Sequence, residues 1–172
     1  MGAYAGLAGG YLFLDRFNDA EDALQRASER KLETPDLLVL RYNIAALKGD
    51  QKEMDHSVSL AKGKRRAEHW MAHEEALALA RSGRLKDARR SSSRAVDLAL
   101  QEGEREAAAS YHAARAVWEG AYGNAAEGTA SAMAALELSK GRDVQYAAGL
   151  GLALSGDFSQ PDALAEIGRA HV

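Results

Sequence analysis

An all-α fold follows from three features of this sequence. Alanine is roughly a fifth of the residues, aromatics are 6% and there are only 2 prolines, which is a helix former's composition. Apolar and small residues recur at spacings of three and four, the period of one helix face. Turn signals at Asp15, Gly49, Gly83, Gly123 and Gly156 return roughly every 33–40 residues, the length of a stacking helical hairpin. A lone hairpin cannot bury its own apolar face. The recurrence therefore predicts a right-handed α-solenoid of about five helix-turn-helix hairpins. No run of β-branched and aromatic residues alternates with period two, so no strand is expected.

The first hairpin, residues 2–31, places Tyr4, Leu7, Ala8, Tyr11, Ala20, Leu24 and Ala27 at packing positions around Asp15-Arg16-Phe17. Asn18 is its expected N-cap, with Glu21 three residues on as the capping-box partner. Pro35 starts the next helix, where its missing N–H costs little. The second hairpin, 35–62, breaks at Gly49-Asp50 and turns Leu38, Tyr42, Ala45, Met54, Val58 and Ala61 inward. Gly63-Lys64-Arg65-Arg66 separates it from the third, 67–102, which folds back at Ser82-Gly83-Arg84 with Ala76, Leu79, Ala88 and Ala95 inside. After Gly103 comes the fourth, 104–139, turning at Gly123-Asn124. The fifth, 143–165, turns at Gly156-Asp157-Phe158, with Ser159 and Pro161 as N-cap and first-turn residues of a last helix. Arg41 and Glu75 stand where a large apolar residue is usual, and Gly128 and Pro161 where alanine is.

Residues 1–165 read as one repeat domain. Glu166-Ile167-Gly168-Arg169-Ala170-His171-Val172 back-translates to GAGATCGGAAGAGCACACGTC, followed in frame by TGA. That string looks like the start of a widely used short-read sequencing adapter. Residues 166–172 are then a non-native tail on an environmental gene fragment, and His171 is no site candidate; a natural C-terminus is the alternative.

With 22 Lys+Arg against 25 Asp+Glu the net charge is −3, so no global bias toward nucleic acid exists. The absence of cysteine excludes disulfides, thiolate metal sites and thiol nucleophiles, and fits the cytoplasm or an extracytoplasmic part of a membrane-anchored protein, the cytoplasm being favoured. No apolar stretch approaches a membrane span, and no secretory signal is visible.

These residues resemble the tetratricopeptide repeat family over nearly all of 1–165, most strongly in the first hairpin. Tyr42-Asn43-Ile44-Ala45 leading to Gly49-Asp50, Gly83-Arg84-Leu85-Lys86-Asp87-Ala88-Arg89, Tyr122-Gly123-Asn124-Ala125-Ala126-Glu127 and Gly141-Arg142-Asp143-Val144-Gln145 are similar to the repeat region C-terminal to the kinase domain of large bacterial serine/threonine protein kinases. Such repeats are also attached to transcriptional regulators. No Gly-rich phosphate loop, H-R-D or D-F-G motif is present, so any catalytic domain would lie upstream of Met1. The resemblance implies a non-catalytic scaffold for protein–protein interaction, without cofactor, within a larger signalling protein. The alternative is a structural spacer or dimerisation element, self-associating through an uncapped terminal repeat.

In stacked hairpins the first helix of each pair lines the concave surface. Helical phase puts Val39, Asn43, Trp70, His73, Leu77, Ala113, Val117, Tyr146 and Leu150 there, preceded by Ala5, Gly9 and Leu12. The surface is small and apolar with aromatics at Trp70 and Tyr146, which suits an apolar-anchored peptide or protein segment. Packing between helices is the competing reading for each residue. His69 and His73 share a helix face and have metal-ligand spacing, but lack a third ligand. The basic run from Lys62 to Arg94 reads as a solvated face ahead of an acidic protein partner or nucleic acid, since Trp70 is its only aromatic. Ser91-Ser92-Ser93 has no adjoining base and acid to activate a nucleophile, and a phosphorylation reading beside Arg89, Arg90 and Arg94 is unspecific.

Overall fold

The computed structural model describes residues 2–158. Among them nine α-helices succeed one another and no strand forms: α1 (Ala3–Phe13), α2 (Phe17–Glu29), α3 (Pro35–Lys48), α4 (Gln51–Ala61), α5 (Ala67–Arg81), α6 (Leu85–Gln101), α7 (Arg105–Ala121), α8 (Ala125–Leu138) and α9 (Arg142–Leu154). The all-α expectation holds, and each helix end falls close to where a turn signal puts it. Ser159, Pro161, the helix expected after them and the tail at 166–172 lie outside the described residues.

One backbone device ends most of these helices. Asp15, Gly49, Gly83, Gly103, Gly123 and Gly156 all adopt left-handed backbone, with φ between 55° and 82°. At Gly83 the amide donates to the Ala80 carbonyl and the Arg84 amide reaches back to Leu79, each at 2.9 Å. The same pair of bonds closes α6 at Gly103 and Glu104, and α7 at Gly123 and Asn124. This closure satisfies carbonyls that a helix end leaves open. The following residue (Arg16, Asp50, Arg84, Glu104 or Asn124) is already the N-cap of the next helix. Gly103, read from the sequence as a separator between hairpins, thus joins α6 to α7 as tightly as Gly123 joins α7 to α8.

The expected cap at Asn18 is corrected. With Asp15 left-handed at φ 55°, α2 starts at Phe17 with Arg16 as N-cap, and Asn18 is an exposed residue of the first turn. At α4 the cap side chain does engage: Asp50 accepts from the Glu53 amide at 3.1 Å. Pro35 opens α3, as its fixed φ suits.

The chain divides into two compact units, Met1–Ala78 and Leu79–Val172. In the first, α1 packs on α2 and α3, α2 on α3, and α3 on α4. Ala5, Ala8, Ala20, Ala23, Leu24, Ala27, Leu37 and Ile44 form one core cluster, flanked by Tyr4, Tyr11 and Leu12. A second holds Leu38, Val39, Tyr42, Ala61, Ala67 and Met71, with Met54 and Val58 against it. Leu7, expected among the packing residues, is 44% exposed. It falls outside the stripe of positions 4, 5, 8, 11 and 12 that a helix turns to one side.

In the second unit α6 packs on α7, α7 on α8 and α9, and α8 on α9. Alanine dominates its core, with Ala109, Ala113, Ala116, Ala132, Ala135 and Ala148 joined by Leu136, Val144 and Leu152. Small side chains let the helix backbones approach closely. A Cβ at Gly151 would stand 2.5 Å from the Ala116 Cβ, and one at Gly120 would stand 2.8 Å from the Leu154 Cβ. Residue numbers rise together along these contacts, so α7 and α9 run parallel. Gly128, a departure from alanine in the sequence, has its physical reason here: a Cβ would collide with the Ser155 hydroxyl.

Candidate functional site

Trp70, His73 and Leu77 lie on α5 at i, i+3 and i+7, which puts them on one stripe of the helix. All three are half-buried. Trp70 rests against the Leu38–Met71 cluster, and its indole N–H donates to the Glu74 carboxylate at 3.1 Å. The ring is thereby held in place while part of it stays accessible. Burial, and secondarily the neighbouring His69, push the His73 imidazole down to about 4. At neutral pH it is an uncharged ring within an apolar stripe.

His69 itself is buried, and both histidines engage neighbours. Among the described residues no three of His, Cys, Asp and Glu converge as a metal ion would require. No helix among those residues is long and apolar enough to cross a membrane.

The other expected surface residues divide into three groups. Asn43 on α3, Gly9 and Leu12 on α1 and Val117 on α7 are half-buried. Tyr146 and Leu150, on α9, are 78% and 45% exposed, in line with Leu154 at 44%. Val39, Ala113 and Ala5 are corrected: at 3%, 0% and 1% exposure they are core residues and present nothing to a ligand. The reason is that α3 and α7 are each packed on more than one side, so a residue outside the main apolar stripe is covered by a further helix.

A buried charge cluster was not foreseen. Glu119 on α7 has no exposure, and Arg89 of α6 grips both its oxygens, Nε–Oε1 at 2.6 Å and Nη2–Oε2 at 2.7 Å. Arg115 stands one helical turn before it, with Nε 3.7 Å from Oε1. The only sequence signal was that i,i+4 pair on an alanine-rich helix; the partner 30 positions away was not legible. Arg89, expected on a solvated basic face, keeps a third of its side chain exposed while its guanidinium is tied to a buried carboxylate. Much of that run is neutralised locally. Arg84 and Arg90 both bind Asp87, at 2.8 and 2.6 Å, and Lys64 binds Glu33 at 2.9 Å. Of the three serines, Ser92 is buried and Ser93 accepts from Arg115 Nη1 at 3.3 Å.

The α5 stripe combines an anchored indole, an uncharged imidazole and an aliphatic side chain, which can cover an apolar side chain and accept or donate a single hydrogen bond. Comparison with family models, curated proteins and solved structures finds no match to this chain.

Proposed function

We propose that this chain is a non-catalytic scaffold for protein–protein interaction, a right-handed solenoid of the tetratricopeptide-repeat kind belonging to a larger bacterial signalling protein. In this reading the first helices of its hairpins hold a peptide or protein segment, with Trp70, His73 and Leu77 as the anchor. The repeated left-handed turn carries the proposal: it closes six helices, at Asp15, Gly49, Gly83, Gly103, Gly123 and Gly156, and the five of these that fall within hairpins return at the spacing of a helical repeat. The parallel apposition of α7 and α9 through Ala116 and Gly151 supports it, since equivalent helices of adjacent hairpins stack that way.

The test is recovery of partners from bacterial lysate on the immobilised chain and on a Trp70→Ala/Leu77→Asp variant. Circular dichroism confirms that the variant stays helical. Selective loss of a partner supports the α5 anchor; recovery unchanged by the double substitution refutes it.

A second reading, a spacer or dimerisation element, is favoured by one observation. Tyr146, Leu150 and Leu154 form an exposed apolar stripe at i, i+4 and i+8 on α9. Sedimentation over a range of concentrations separates the two, because a strict monomer at high concentration argues against dimerisation.

A further inference from the structure

We propose that the cleft between α2, α3 and the start of α4 is a docking site for a basic segment of a partner protein, taking the stem and charged head of a lysine or arginine. It lies wholly within the first unit, and the inference does not depend on the α5 stripe. The cleft has a volume of about 530 Å³, within the range of sites that enclose several side chains. Its floor is apolar and well ordered by packing: Leu24, Ile44 and Ala45 are buried there. Its rim is ionic, with Glu21 and Asp22 from α2, Lys48 and Arg41 from α3, and Asp50 and Glu53 from α4.

Of the two cations of the rim, Lys48 is paired with a carboxylate, and Arg41 is held by neutral acceptors and keeps its charge. Lys48 Nζ lies 2.6 Å from Glu21 Oε1. The Arg41 guanidinium donates to the Leu24 carbonyl at 3.4 Å and to the Ser28 hydroxyl. Asp50 is committed to the α4 N-terminus through its bond from the Glu53 amide. Among the described residues Asp22 and Glu53 are in no ion pair, and the four carboxylates of the rim outnumber its two cations. Glu53 has a local reason to be acidic, since it sits in the first turn of α4 and complements the helix dipole. Asp22 lies past the first turn of α2, is exposed, and is in no ion pair among the described residues. A net excess of carboxylates around an apolar floor matches a side chain that is aliphatic along its stem and cationic at its tip. A concave, partly apolar wall also concentrates their field on an approaching cation.

The experiment titrates the chain into a fluorescein-labelled, end-capped short peptide in which arginine and lysine alternate with leucine, followed by anisotropy. The comparison is an Asp22→Lys/Glu53→Lys variant, whose sites are on the rim and whose helicity is checked by circular dichroism. Binding of the basic peptide is expected, weakened about tenfold or more by the double charge reversal and unaffected by Trp70→Ala. A peptide with glutamate in place of the basic residues is expected not to bind. The proposal is overturned by no binding to the wild-type chain, by equal binding to the charge-reversed variant, or by equal binding of the acidic peptide. Loss of binding on Trp70→Ala would move the peptide to α5 and overturn it equally.

Discussion

Glu119, fully buried, and His73, half-buried, show how single ionisable groups act on the stability of this fold. Arg89→Ala removes the bidentate partner of a fully buried carboxylate and leaves Arg115, at 3.7 Å, as its remaining ion pair among the described residues. A loss of roughly 2–4 kcal/mol is expected in urea unfolding. The exposed pair of Arg16 and Asp19 sets the contrast, with Asp19→Ala expected to change stability by less than about 0.5 kcal/mol. Similar losses for the two variants would contradict the internal role of Arg89. His73 acts through protons. Unfolded, its imidazole takes up a proton near 6.5; folded, only near about 4. Between these values the unfolded state binds the proton more tightly. The stability tied to His73 is therefore full above pH 6.5 and is lost as pH falls toward 4. The His112 ring, also held down mainly by burial, adds to the same slope. A His73→Gln variant should lose less thermal stability over that interval than the wild type. An unchanged slope would show that the ring is not desolvated.

At the scale of the helix and its turn, the left-handed residue is the recurring part. Gly83 has φ 75°, where any Cβ is strained, so Gly83→Ala should cost about 1 kcal/mol although nothing crowds the position. Asp15 holds the same conformation without being glycine. Asp15→Gly should therefore raise stability by a few tenths to about 1 kcal/mol, read as a shift in melting temperature. Opposite signs at two equivalent turns would be hard to produce by any other cause. Gly151 fails for a different reason. Its backbone is helical, but a Cβ would lie 2.5 Å from the Ala116 Cβ and 2.9 Å from its backbone carbon. Gly151→Ala should cost about 1–3 kcal/mol by prying α9 from α7. A neutral result would mean that the two helices can separate without loss. Arg41 illustrates compensation within an element. It stands where an apolar residue is usual, and its guanidinium serves the last turn of α2 through the Leu24 carbonyl and Ser28.

For the molecule as a whole, the proposed repeat architecture would leave helix faces apolar wherever a neighbour is meant to stack. On α9 that face is open: Tyr146, Leu150 and Leu154 are exposed together. Self-association through it should appear in sedimentation as concentration-dependent mass, and Tyr146→Glu/Leu150→Glu should abolish it. Association that survives the double substitution would place the contact elsewhere.

Helices and turns were legible in the sequence because both are local. Periodicity of three and four depends on residues within two turns of each other, and Gly49, Gly83, Gly123 and Gly156 mark left-handed positions that few other residues accept. Even Gly103 announced a break, though not how tight it was. The same phase sets Trp70, His73 and Leu77 along one side of α5, where all three are half-buried. What could not be read was which helix faces a second or third neighbour covers. Val39 and Ala113 went into cores for that reason, while Tyr146 and Leu150 stayed outside. The tie between Arg89 and Glu119 and the cleft between α2, α3 and α4 are likewise products of packing, made by residues from separate helices. The sequence determined the helices and where the chain reverses; tertiary contact alone decided which surfaces stay exposed, because burial depends on neighbours distant along the chain.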